Sequence, residues 1–245
     1  TDDAFWHPYF GTWVIMAAQK VERFDISVPG TERLLTIQDA ETGGFASDRT
    51  TQNKEGLEGM IISSASGFAC LNMGKLREAQ RAGDFLITML ELQPENGRLY
   101  MNYHPKKGLI TDFPVEHSEK YVLHSTKVRQ WYFGPGHSIA FLTKLYLATK
   151  LRKYLDAALE YFDFTESCTK SRDGVHSWVA SGKLGWGSSV LYNVIGEQRC
   201  RDTSESIADY LVGTQWPEGY WIDPKIASRI DQEPLYQTVD ITAEF

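Results

Sequence analysis

The chain has 245 residues, 42% hydrophobic and 23% charged, an ordinary globular composition with length enough for a large core. A net charge of −7 and no dense Lys/Arg stripe argue against a nucleic-acid partner, and no apolar run reaches the ~18 residues of a spanning helix. Cys70, Cys168 and Cys200 are scattered and odd in number, which argues against a disulfide framework and for a reducing, cytoplasmic setting.

No charged-then-apolar leader opens the chain at Thr1, so no signal peptide is expected. Downstream, a repeat organises the sequence. Gly74-Lys75-Leu76-Arg77, Thr149-Lys150-Leu151-Arg152 and Gly196-Glu197-Gln198-Arg199 each introduce a helical pattern of Ala, Leu and Tyr at spacings of three and four. Those patterns end at Gln93, Cys168 and Gln215, and each end leads to a glycine and then an aromatic ring: Gly97 and Tyr100, Gly174 and Trp178, Gly219 and Trp221. An earlier copy of the turn is Gln38 to Phe45.

The repeat predicts helical hairpins. Apolar inner helices are expected over 4–21, 57–73, 135–149 and 186–195, with a last one from near 237. Amphipathic outer helices are expected over 31–38, 76–93, 153–167 and 200–215. One hairpin cannot bury its inner face, so the copies must pack side by side. The stretch 98–130 breaks the period and is too long for a plain connection; with a short β-hairpin around Tyr121-Val122-Leu123, it is expected to form a flap.

The inner-helix starts carry the candidate chemistry. Trp131-Tyr132-Phe133-Gly134-Pro135-Gly136-His137-Ser138 places rings, glycines and a histidine before a helix that is apolar all round, and Gly185-Trp186-Gly187-Ser188 repeats the arrangement. His137 could shuttle a proton, or merely bridge to a neighbouring hairpin. Glu58 holds the equivalent place in the second hairpin. Buried there it would be an acid of raised pKa; exposed, it would only favour the helix N-terminus. Trp6, His7, Tyr9, Tyr103, Trp131, Tyr132, Trp186 and Trp221 are the candidates for a pocket wall. No nucleotide-binding glycine motif, nucleophile elbow or metal-ligand spacing is present, so the site is expected to use neither metal nor cofactor.

Gln215-Trp216-Pro217-Glu218-Gly219-Tyr220-Trp221 matches the Q-x-x-x-G-x-W repeat of squalene and oxidosqualene cyclases, and Gln38 to Phe45 looks like a turn of protein prenyltransferase β subunits. The chain thus resembles the terpenoid-cyclase and prenyltransferase α/α-toroid superfamily. That resemblance implies an all-α ring of hairpins over 1–245 as one domain. Four and a half hairpins fall short of a complete ring, which implies trimming at one or both ends. Asp240-Ile241-Thr242-Ala243-Glu244 is similar to the cyclase D-C-T-A-E motif, with Ile241 in place of its Cys, and the resemblance implies that Asp240 donates a proton. The metal-diphosphate and zinc motifs of the superfamily are missing.

Three functions are consistent with this pattern. The first is a cofactor-free isomerase, lyase or cyclase acting on a small hydrophobic, terpenoid- or polyketide-like intermediate, with Asp240, His137 and Glu58 moving protons. The second is a carbohydrate-active α/α-barrel enzyme, an epimerase or glycosidase, in which Trp faces stack on sugars. The third is a non-catalytic helical-repeat scaffold for another protein.

Overall fold

The computed structural model describes residues 7–46, 56–223, 238–239 and 242. Among them, helices alternate between two layers. The inner layer is α1 (Pro8–Lys20), α3 (Met60–Asn72), α5 (Phe133–Thr149) and α7 (Gly182–Ile195). The outer layer is α2 (Phe24–Leu35), α4 (Leu76–Glu91), α6 (Arg152–Ser167) and α8 (Gln198–Thr214). Each inner helix packs on its own outer partner and on the next inner helix, α1 on α3, α3 on α5 and α5 on α7.

Burial follows the two kinds of sequence. Every residue of α5 from Gly134 to Thr143 is buried, as a helix apolar all round requires. In α4 the buried residues are Ala79, Ala82, Gly83, Phe85, Leu86, Met89 and Leu90, the single stripe of an amphipathic helix. Outer helices also grip each other: the buried Tyr161 hydroxyl of α6 donates to the Leu86 carbonyl of α4 at 2.9 Å.

The two-layered hairpins agree with the repeat, but three details differ. First, α2 begins at Phe24 instead of near residue 31, and contains Pro29. Pro29 lies on the exposed side of α2, where water can serve the carbonyl that its missing N–H leaves open. Second, α7 begins at Gly182, four residues before the expected start at Trp186. Third, the inner-to-outer turn follows another register. Each turn places one left-handed residue directly before the N-cap of the outer helix: Glu22 (φ 60°), Gly74 (71°), Lys150 (60°) and Gly196 (70°). Lys150, not Thr149, is therefore the counterpart of Gly74 and Gly196.

The outer-to-inner turns explain the recurring glutamines. Gln38 Nε2 donates to the carbonyls of Gly43 and, on α4, Glu78 at 3.0 and 2.9 Å. Gln93 accepts from Tyr100 N at 2.8 Å and donates to the Tyr100 carbonyl at 3.1 Å. Gln215 Nε2 donates to the Gly219 carbonyl at 3.2 Å, and the Trp221 indole N–H donates to the Leu211 carbonyl at 2.8 Å. The Q-x-x-x-G-x-W residues thus satisfy the backbone of the turn, which a reversing chain must arrange somehow.

The irregular stretch forms small sheets. β2 (Arg98–Tyr100) pairs antiparallel with β5 (Val122–His124), Leu99 opposite Leu123. β3 (Asn102–His104) lies between β1 (Glu58–Gly59) and β4 (Gly108–Leu109). The flap near 121–123 is therefore present, with its partner strand at 98–100. Because β1 runs directly into α3, this β structure sits at the N-terminal ends of the inner helices.

Candidate functional site

Two glycines set the geometry. A Cβ on Gly187 would lie 2.5 Å from the Gly136 carbonyl oxygen, so α5 and α7 touch backbone to backbone there. That crossing sets the residue after Gly136 beside the residue before Gly187. The rings of His137 and Trp186 are accordingly edge to face, with centroids 6.1 Å apart.

The other inner helices complete the cluster. From α1, the Tyr9 hydroxyl shares a hydrogen bond with His137 Nε2 at 3.1 Å. The Trp13 ring lies 5.4 Å from the imidazole. From α3, Phe68 packs edge-on to Trp186 at 5.5 Å. Lys183 of α7 places its ammonium 4.7 Å above the Trp13 ring, a cation–π arrangement. All four inner helices therefore reach one interior point. His137 is 3% exposed. Burial, with a smaller push from Lys183, lowers its pKa to about 3, because burial strips the charged imidazolium of its hydration. The ring is neutral at physiological pH.

A cleft of about 770 Å³ lies along the inner layer next to this cluster and is lined by Trp13, Phe68 and Trp186, with His137 buried behind those rings. Trp13, Phe68 and Trp186 wall one end, and Lys20, Asn72, Lys144 and Ala148 lie towards the C-terminal ends of their helices.

Of the residues singled out in the sequence, Tyr9, His137 and Trp186 come together here. Glu58 is placed differently: it is 1% exposed in β1 and accepts a hydrogen bond from Thr42 at 2.7 Å beneath the 39–45 turn. Burial raises its pKa to about 7. Tyr103 lies opposite Glu58 in the sheet, its ring edge-on to Phe85. Trp131 packs on Phe133. Tyr132 is fully buried and donates to the Lys127 carbonyl at 3.0 Å. His7 is exposed beside Phe10. Trp221 belongs to the turn described above. Asp240 and Trp6 lie outside the described residues. Trp13, Phe68 and Lys183 were not singled out. Trp13 follows Tyr9 by four residues, one helical turn, so the spacing that puts it on the same face was readable.

No family model and no curated protein matches the sequence. The fold does match solved structures. One is a GH76 α-mannanase from Bacteroides thetaiotaomicron, with a TM-score of 0.69 and 13% identity over 97% of this chain and 67% of that one. Another is a D-mannose isomerase, with a TM-score of 0.69 and 15% identity over 97% and 71%. A third is the cellobiose 2-epimerase of Spirochaeta thermophila, with a TM-score of 0.57 and 16% identity over 91% and 59%. At such identities the likeness is one of fold, and the fold is the α/α toroid.

These matches overturn the expected hydrophobic, terpenoid- or polyketide-like substrate, since the proteins that share the fold are named for work on carbohydrates. The cyclase-like motif misled for a physical reason. Its Gln, Gly and Trp hold a hairpin turn together, which any toroid needs whatever it binds. No helix among the described residues is long and apolar enough to cross a membrane.

Proposed function

We propose that this chain is a carbohydrate-active enzyme of the isomerase or epimerase kind, exchanging a proton at the carbon beside a sugar carbonyl. The observation that carries the reading is the buried His137–Tyr9 pair, walled by Trp13 and Trp186 at the meeting point of four inner helices. The fold shared with a D-mannose isomerase and a cellobiose 2-epimerase supports it.

The chemistry follows from the groups present. A neutral imidazole has a lone pair that takes the C2 proton of an open-chain aldose. The electron pair of the broken C–H bond moves into the C1–C2 bond, and the carbonyl oxygen gains negative charge or a proton. The Tyr9 phenol donates that proton, and the Lys183 ammonium stabilises charge on the oxygen. Return of a proton to C2 on the other face gives the epimer; return to C1, with the C2 hydroxyl giving up its own proton, gives the ketose. The Trp faces hold the apolar C–H surface of the sugar.

The test is to incubate the protein with mannose, glucose and cellobiose in D₂O and follow loss of the C2 proton by NMR. Exchange is expected for at least one sugar, and His137→Asn should slow it by a factor of ~10² or more. Absence of exchange with every aldose, or full exchange in His137→Asn, would overturn the proposal.

A further inference from the structure

The four inner helices contain only three charged residues, and all three are lysines: Lys20 in α1, Lys144 in α5 and Lys183 in α7. None of these four described helices carries an acidic residue. α2, α4, α6 and α8 each carry carboxylates, among them Asp25, Glu78, Asp156 and Asp202. Lys20 and Lys144 both line the cleft and are exposed to solvent. Neither has an ion-pair partner among the described residues, whereas Lys153 of α6 is bonded to Asp84 at 2.5 Å and Lys170 to Glu166 at 3.1 Å.

Helix dipoles do not account for this pattern. A cation is favoured in the last turn of a helix, which explains Lys20 alone. Lys144 stands five residues before the end of α5, and Lys183 is in the first turn of α7, where the dipole opposes a positive charge. Lys20 and Lys144, though exposed to solvent, both line one cleft together with Trp13, Phe68 and Trp186. Lys183 lies over Trp13, which lines it too.

We propose that the cleft binds a sugar chain bearing an anionic group, a phosphate or a carboxylate, held by Lys20 and Lys144. This rests on the proton-transfer reading, which fixes the reducing end at His137. Lys20 follows Trp13 by seven residues on the same helix, which is ~10 Å along the axis. The anionic group therefore sits about one sugar beyond the reacting one, and the smallest full substrate is an acidic disaccharide. The ammonium groups need not be pre-paired, because the ligand supplies the counter-charge. Both ammonium groups are exposed to solvent at the open side of the cleft, so their attraction for an anion is screened by salt.

Binding tests this independently of turnover. Quenching of tryptophan fluorescence would give Kd for cellobiose, for the same disaccharide with a terminal glucuronic acid, and for its terminal 6-phosphate. The acidic forms should bind at least tenfold more tightly than cellobiose at low salt. Most of that advantage should vanish in 0.5 M NaCl, and in the double variant Lys20→Gln, Lys144→Gln the three Kd values should converge. Tight binding of the phosphate alone, or of both acidic forms, supports the proposal and identifies the anion. Equal Kd values in the wild type, or an advantage that survives the double substitution, overturn it. If the acidic forms bind preferentially but no C2 exchange occurs with any sugar, the proton-transfer reading fails while the anion site stands.

Discussion

Two buried titratable groups pull the pH dependence of stability in opposite directions, and each can be read separately. The folded-state pKa of His137 is depressed to about 3. Between about pH 6.5 and 3 the unfolded chain therefore binds a proton that the folded chain refuses, so this contribution to stability is lost as pH falls through that window. Glu58 has the reverse sign. Its folded-state pKa is raised from 4.5 to about 7, so from pH 4.5 to 7 the folded chain keeps a proton that the unfolded chain releases, and stability falls as pH rises. Glu58→Gln should remove that fall and make the protein more stable than wild type at pH 8 by on the order of 2 kcal/mol. Urea midpoints at pH 5 and pH 8 would show it, and a variant that loses stability equally at both would show that the ionised carboxylate is welcome at its site. Burial of both groups was not readable residue by residue. Their positions at inner-helix starts were, because the hairpin repeat assigns those positions. Which side chains meet depends on how far each helix is rotated, and for α5 that rotation is set by the contact of Gly136 with Gly187, 51 residues away in sequence.

At the scale of the helices, the left-handed residue of each inner-to-outer turn is a handle on stability. Lys150 holds φ 60° where two of the other turns have glycine. A side chain there costs about 1 kcal/mol, so Lys150→Gly should be neutral to stabilising by up to about 1 kcal/mol, whereas Gly196→Val should cost 1 kcal/mol or more, on the order of strained backbone generally. Thermal melting of the pair would decide it, and loss of stability in Lys150→Gly would show that the lysine side chain contributes more than its backbone strain costs. The turns were legible as a repeat, yet the arginine three or two positions later gave the wrong register for the third copy, because a strict glycine motif is not required when another residue can be held left-handed at modest cost. The crossing of α5 and α7 is less forgiving. Gly136→Ala would drive a methyl into the backbone of Lys183 and Leu184. Because that contact is with backbone and not with a movable side chain, the substitution should cost on the order of 1–3 kcal/mol. It should also displace His137 from Trp186 and so reduce sugar binding along with stability.

Across the whole molecule, the inner layer is a row in which α3 and α5 have close neighbours on both sides, while α1 packs most extensively on α3 and α7 on α5 among the described inner helices. Stability in such a row is a sum over adjacent pairs, so its ends open first. α1 and its C-cap Val21 also show apolar residues to solvent along one face, with Phe10 52%, Val14 54% and Val21 69% exposed. Amide hydrogen exchange should therefore be slowest in α5 and α3 and fastest in α1 and α2. The candidate site bridges the row: Tyr9 and Trp13 of α1 reach His137 of α5, and Lys183 of α7 lies over Trp13. A sugar bound between Trp13 and Trp186 would add contacts that the open form of α1 cannot make. By mass action it should stabilise the closed α1–α2 hairpin by ~2.7 kcal/mol at a ligand concentration of 100 Kd, which slows exchange there about a hundredfold while leaving α6 nearly unchanged. Mass-spectrometric exchange with and without an acidic disaccharide would measure this. Equal protection in all helices would mean that the ligand stabilises the fold globally, and protection confined to the flap strands would mean that it binds away from the His137 cluster.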